Sequence, residues 1–200
     1  MNNILAIIDN GHGINTPGKC SPDKSLFEWK WCREIANMLY ESLLSDGISA
    51  VLVVPEDIDI SLSTRVKRIN AFCDEAKKAG KEPVMISIHI NAAGNDGKWH
   101  SASGWSGWIA SNASIKSKLL ARCLYREAES LGLKGNRCVP REQYWVSNFY
   151  ITKNSKCPAV LTENMFQDNK DDVEYLLSNK GKREIVELHK NALIEYADMV

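Results

Sequence analysis

Apolar residues recur along this chain in two alternating rhythms. Ile4 to Ile8 is an unbroken run of five ending at Asp9, short enough to read as a buried strand rather than a helix. Runs of the same kind cover 48–54, 84–93, 105–110, 149–152 and 157–164. Between them the apolar positions return every three or four residues, as an amphipathic helix requires. Ile35, Met38, Leu39 and Leu43 follow Ser25, and Val66, Ile69, Phe72 and Cys73 follow Ser61. Leu119, Leu120, Cys123, Leu124 and Ala128 fall within 114–131, a short helix is expected over 173–177, and 184–199 closes the chain. Asp46-Gly47, Pro55, Pro83, Gly132 and Gly135 punctuate the segments, and 136–146 reads as irregular. Alternation of this sort predicts a three-layer α/β fold with a largely parallel sheet, as a single domain over 1–200.

Composition narrows the classes without naming one. The 25 basic and 25 acidic residues cancel, which argues against nucleic acid or an anionic membrane surface as a partner. No apolar run approaches the length of a membrane span, so no membrane insertion is expected. Met1-Asn2-Asn3 carries no basic segment of the kind that opens an export signal. Six cysteines are scattered with no Cys-x-x-Cys pair, and read as reduced, mostly buried thiols.

The candidate chemistry sits where apolar runs stop. His12 follows the first strand between Gly11 and Gly13, a second strand carries His89, and the last strand ends on Glu163. Parallel strands put their carboxyl ends on one edge of the sheet, where ligands bind in open α/β folds. Glu28, at the start of the helix after the first strand, can reach the same edge. Two imidazoles and one carboxylate are a usual protein set for catalytic zinc, and a further carboxylate is needed to move protons. Glu28 has a second reading, because Ser25-x-x-Glu28 is also a capping-box pattern. His89 and Asn91 alternate onto one strand face. Arg65 and Arg68 read as solvated charges, with one of them a candidate to face a site. His100 is expected in solvent, and His189 beside Lys190 as a surface or capping residue. Trp105 and Trp108 read as core, whereas Trp99 is a candidate to stack on a sugar.

Four ordered blocks then carry a resemblance. Asp9-x-Gly11-His12-Gly13, Glu28 at a helix start, Ser87-x-His89-x-Asn91-Ala92 and Pro158-Ala159-Val160-Leu161-Thr162-Glu163-x-x-Phe166 resemble the zinc-dependent N-acetylmuramoyl-L-alanine amidases of the Amidase_3 branch. The similarity runs over essentially the whole chain. It implies a mixed, mainly parallel sheet of about six strands flanked by helices. It implies one Zn2+ held by His12, Glu28 and His89, with Glu163 as the catalytic carboxylate and Ser25 still able to cap the helix. The implied reaction is hydrolysis of the amide joining N-acetylmuramic acid to L-alanine in peptidoglycan, by a metal-activated water. Asn91 and Arg65 are candidate substrate-binding residues. Asn10 and Ile14 depart from the family, which often has proline and glycine there. The short loop between His89 and Trp105 leaves no room for a self-blocking helix, so an open site is expected, and no second wall-binding module is seen.

The chain is expected to act at the bacterial cell wall as a monomer, either as a phage-type lysin or as the mature form of an exported enzyme. Two other readings keep the scaffold. A zinc carboxypeptidase would add a basic residue to pin a terminal carboxylate, with Arg65, Arg137 or Arg141 as candidates. A non-catalytic peptidoglycan-binding module would keep the fold without turnover.

Overall fold

A computed structural model describes residues 3–200; Met1 and Asn2, which belong to the segment searched for a leader, lie outside the described residues. In chain order the elements are β1 (Ile4–Asn10), α1 (Glu28–Ser45), β2 (Ser49–Leu52), α2 (Leu62–Lys78), β3 (Glu82–Asn91) and β4 (Ser106–Ile109). There follow α3 (Ile115–Ser130), β5 (Trp145–Val146), α4 (Tyr150–Asn154), β6 (Ala159–Phe166), α5 (Lys170–Leu177) and α6 (Asn179–Met199). The six strands lie in the order β2-β1-β3-β6-β4-β5, all neighbours parallel except β4 against β6.

Both sheet faces are covered, and strand alternation decides which residue meets which layer. Ile4, Ala6 and Ile8 of β1, with Val84, Ile86, Ile88 and Ile90 of β3, join the core formed with α1, α3 and α6. Ile7, Met85, Ala159 and Leu161 join the smaller core under α2 and α4. On this second face the apolar pattern gives way to polar residues toward the carboxyl ends. Asp9 pairs in register with Ser87, and His89 pairs with Glu163. Glu163 is also the register partner of Ser106 on β4. A parallel βα unit returns its helix antiparallel to the strand, which brings the first residue of α1 to this same edge.

Three expectations change. Residues 149–152 do not form a strand: α4 occupies Tyr150–Asn154. Thr152 Oγ1, Asn154 Nδ2 and Ser155 Oγ each donate to a carbonyl three or four residues back. Such bonds close a helical turn, which a four-residue apolar window cannot reveal. The irregular segment contains β5, two residues long and below any periodicity. His189 is not at the surface but fully buried on α6. Its Nδ1 lies 2.7 Å from the Ile185 carbonyl, which can only accept, so Nε2 is left to accept from Thr162 Oγ1 at 3.0 Å.

Burial lowers the His189 pKa from 6.5 to about 4, against a smaller opposing effect of the Ile185 carbonyl. The folded value lies below the unfolded one, so this group's stabilisation is complete above pH 6.5. It is lost as pH falls toward 4, because the unfolded chain takes up a proton that the fold refuses. Across that window the wild type is expected to lose about 3 kcal/mol more than a His189→Gln variant, as read from urea unfolding at each pH. Parallel pH profiles for the two proteins would refute this.

Candidate active site

His12, Glu28 and His89 meet at the carboxyl edge of β1 and β3. His12 Nε2 is 3.4 Å from Glu28 Oε2, His89 Nδ1 is 3.1 Å from Glu28 Oε1, and one donor atom from each residue falls within 4.8 Å of the others. The rings stand edge to face, their centroids 5.1 Å apart at 87°. Local structure sets each of them. His12 adopts φ 60°, two residues beyond the end of β1, in the left-handed region that non-glycine residues seldom occupy. Its backbone is held there by Arg65, whose Nη2 donates to the His12 carbonyl at 3.2 Å and whose Nη1 donates to the Asn10 carbonyl.

The neighbouring glycines are required by contact rather than by turn chemistry. A Cβ on Gly11 would lie 2.6 Å from His89 Nδ1, and one on Gly13 would lie 2.0 Å from the Asp59 backbone nitrogen. Gly11→Ala is therefore expected to push the His89 ring off its position and weaken metal binding by about 10- to 100-fold, the range seen when ligand orientation is disturbed. Competition with a chromophoric chelator reads this directly, and unchanged affinity would refute it.

Glu28 is 1% exposed, and its carboxylate answers the question the capping box left open. Oε1 accepts from the Ile90 amide at 2.9 Å and faces His89, so the side chain points across the sheet edge instead of back along its helix. The Ser25 side chain does not cap α1 either; its hydroxyl donates to Asp23 Oδ1 at 2.8 Å, and Phe27 occupies the cap position without a side-chain bond. Glu28 Oε2 is buried with no hydrogen-bond partner. A buried carboxylate oxygen left so is costly, and with the His12 imidazole beside it and His89 on the other oxygen the trio could hold a cation. Two imidazoles and one carboxylate are a donor set that would suit zinc.

The charge states of His12 and Glu28 suit this. Burial lowers His12 to about 4, with the His89 and Lys19 charges adding to it and Glu28 opposing, so its imidazole is neutral at neutral pH. Burial raises Glu28, but the hydrogen bond and charge of His89, the charge of His12 and the Ile90 amide outweigh it and hold Glu28 below its ordinary value. For His89 burial also opposes charge, and the Glu28 contact turns the balance upward.

Glu163 stands beside His89 on the next strand, in the interior of β6 rather than at its end. The strand continues through a register shift between His89 and Asn91, with Met165 at φ 65°. Burial, with the Glu28 charge, lifts Glu163 to about 7, while the charges of His89, Lys19 and Arg137 pull it down. Its Oε2 is also buried without a partner. His12, His89 and Glu163 line one cleft of about 390 Å3, walled by Ile60, Leu62, Phe149 and Tyr150. A carboxyl poised near neutrality beside a cation-binding trio and an open cleft is equipped to exchange protons with a bound group.

Of the other expected residues, Arg65 lines the same cleft, and the rest fall elsewhere. Arg65 is 2% exposed, not solvated, and its guanidinium is committed to protein acceptors: Asp9 Oδ1 at 2.9 Å, Asp59 Oδ1 at 3.0 Å and the carbonyls of Ile60, Asn10 and His12. Arg68 pairs with Glu56. Asn91 turns its side chain onto its own chain, Oδ1 accepting from the Ala92 amide at 2.9 Å. His100 is half-buried rather than exposed and bonds Asp96 Oδ1 at 3.0 Å. Trp105 is buried, its Nε1 donating to Asn164; Trp108 is half-buried against Trp145; and Trp99 is partly buried with Lys170 over its ring. All six cysteines are free, three of them buried and Cys138 exposed.

The roles of supporting residues escaped the sequence. Ser87 donates to Asp9 Oδ2 at 2.6 Å beneath the site, and Asn164 Nδ2 donates to the His89 carbonyl at 2.9 Å from the opposite face. The available signal was polarity inside apolar runs: Ser87 between Ile86 and Ile88, and Asn164 between Glu163 and Met165.

The sequence profile described as N-acetylmuramoyl-L-alanine amidase matches residues 6–195. The chain belongs to the Amidase_3 family. It is 24% identical to the endolysin of Bacillus phage SPP1, over 98% of this chain and 66% of that protein. It is 27% identical to the N-acetylmuramoyl-L-alanine amidase CwlM of Bacillus licheniformis, over 95% of this chain and 67% of that one. The chain thus spans about two thirds of the length of these curated relatives. Among solved structures, the N-acetylmuramoyl-L-alanine amidase of Clostridium difficile 630 superposes with a TM-score of 0.81 at 25% identity, covering 99% of this chain and 98% of that one. The mixed six-stranded sheet described above is this family's fold. No described helix is long and apolar enough to cross a membrane.

Proposed function

We propose that this Amidase_3 protein hydrolyses the amide between the lactyl group of N-acetylmuramic acid and L-alanine in peptidoglycan, using one Zn2+ held by His12, Glu28 and His89. The observation that carries the reading is a pair of orphaned buried oxygens, Glu28 Oε2 inside the donor trio and Glu163 Oε2 beside it. Zinc in that trio supplies a Lewis acid for the amide carbonyl and lowers the pKa of a water toward neutrality. Glu163 accepts a proton from the attacking water and delivers it to the amide nitrogen as the carbon–nitrogen bond breaks, leaving a free L-alanine amine. Arg65 acts by holding the His12 backbone rather than by touching substrate, because its donors are already committed. Asn91 fixes the turn after β3. Leu62 and Tyr150 form an exposed apolar rim where a glycopeptide can lie, and peptidoglycan as the substrate would put the enzyme's work at the cell wall.

Purified peptidoglycan digested before and after chelation tests this. New L-alanine amino termini, found by mass spectrometry and abolished by chelation, are expected. Loss of a terminal stem residue instead would establish the carboxypeptidase reading, and binding without new ends would establish the non-catalytic one.

A further inference from the structure

We infer that Arg137 is an anion subsite that receives a carboxylate on the peptide side of the scissile amide, and so selects stems whose second residue is an unmodified acid. The inference rests on the amidase reading above.

Arg137 lies in the segment between α3 and β5, away from the four expected site residues in sequence. The register brings it to them. His89, Glu163 and Ser106 are successive partners across β3, β6 and β4, on one face and at one level of the sheet. Arg137 Nη1 donates to Ser106 Oγ at 3.3 Å and so continues that row by one more side chain. Its charge acts on Glu163, yet the two make no ion pair.

The guanidinium is caged rather than paired. Its Cζ stands 4.9 Å from the Trp145 ring centroid, 5.4 Å from Phe166 and 5.9 Å from Trp108. Those rings are part of a wall: Trp108 stacks on Trp145 at 5.4 Å and meets Phe149 edge to face at 5.9 Å. Phe149 in turn lines the cleft that holds Glu163. Among the described residues Arg137 has no carboxylate partner, and Ser106 is its single side-chain hydrogen bond. The comparison with Arg65 is instructive, since that buried guanidinium has two carboxylates and three carbonyls. Three aromatic faces compensate part of the desolvation of Arg137 and hold its plane still, while most of its N–H donors stay free. A planar fork with free donors matches a carboxylate.

Spacing is compatible with the peptide side. Adjacent strands are about 4.8 Å apart, so Ser106 lies roughly 10 Å from His89, with the Arg137 fork one hydrogen bond beyond it. Two residues of extended chain reach roughly 7 Å, and a carboxylate branching from the second covers the remainder.

Two soluble substrates separate the possibilities: a muramoyl dipeptide whose second residue has a free α-carboxylate and its side-chain carboxylate blocked as an amide, and the same compound with the α-carboxylate amidated as well. The wild type is expected to prefer the free acid by about tenfold in kcat/KM, mostly through KM, the scale of one charge-assisted contact at a half-exposed site. Arg137→Gln should bring the ratio toward one, and Arg137→Lys should keep part of it. If the wild type cleaves both compounds equally, or Arg137→Gln retains the preference, the subsite is refuted while the amidase reading stands. A merely structural Arg137 would lower turnover of both substrates in proportion with the ratio intact, which also refutes it. If neither compound releases an L-alanine amine, the amidase reading fails and takes this one with it.

Discussion

Glutamine at position 163 is expected to lower turnover of peptidoglycan by about 10³-fold while zinc content stays at one per chain. The substitution conserves shape and removes only the ability to take and return a proton, and positioned general acid–base groups contribute roughly 10²–10⁴-fold. Glu163 is outside the donor trio of His12, Glu28 and His89, so the metal should remain. The same variant is expected to melt no lower than the wild type. Its predecessor is a carboxyl pushed up to about 7 by burial, with one oxygen lacking any partner, and a neutral amide is easier to bury. Activity and stability are thus expected to move independently, the signature of a group retained for chemistry. Glu163→Gln enzyme that keeps more than a tenth of wild-type turnover would remove the carboxylate from the mechanism.

His89→Ala should lose both the metal and the activity, with affinity for zinc falling well beyond the roughly 10–100-fold caused by disturbing an outer partner. His89 is tied to the site from three directions: its ring contacts Glu28, its carbonyl accepts from Asn164, and its neighbour Ile90 donates to Glu28. Removing the ring leaves Glu28 with one imidazole in a pocket too lightly charged to strip water from an ion. His100→Ala is the matched control, because that ring bonds Asp96 on a surface loop and joins no donor cluster. Equilibrium dialysis of both variants against buffered zinc decides it. Stoichiometric zinc in His89→Ala would refute the ligand set.

Much of the site was readable because polar residues interrupted apolar runs toward the carboxyl ends of the strands or just beyond them. His12, His89 and Glu163 stand out against isoleucine and leucine, and the parallel architecture implies that such ends converge. Glu28 was ambiguous for a physical reason: a serine three residues before a glutamate has two partners for one carboxylate, and local pattern does not say which wins. The Ile90 amide, the His89 imidazole of β3 and the His12 imidazole just past β1 won. Arg65 and His189 were misplaced by the same logic. A charged or titratable residue on an amphipathic helix is solvated by default, until β1 and the loop before α2 supply Asp9 and Asp59 for the one, and β6 supplies Thr162 for the other. Arg137 was only one of three candidate carboxylate-binding arginines, since a lone arginine in an irregular segment carries no period that would place it.

By itself the sequence determined the alternation of strands and helices, the layered fold and the four residues able to meet at one sheet edge. These depend on side-chain periodicity and on short-range punctuation, both local properties of the chain. Only the tertiary structure decided strand register, the commitment of Glu28 and Arg65, and the row from His89 to Arg137. Each of those depends on which distant group arrives within about 3 Å, and burial there raises the cost of every unpaired donor or charge.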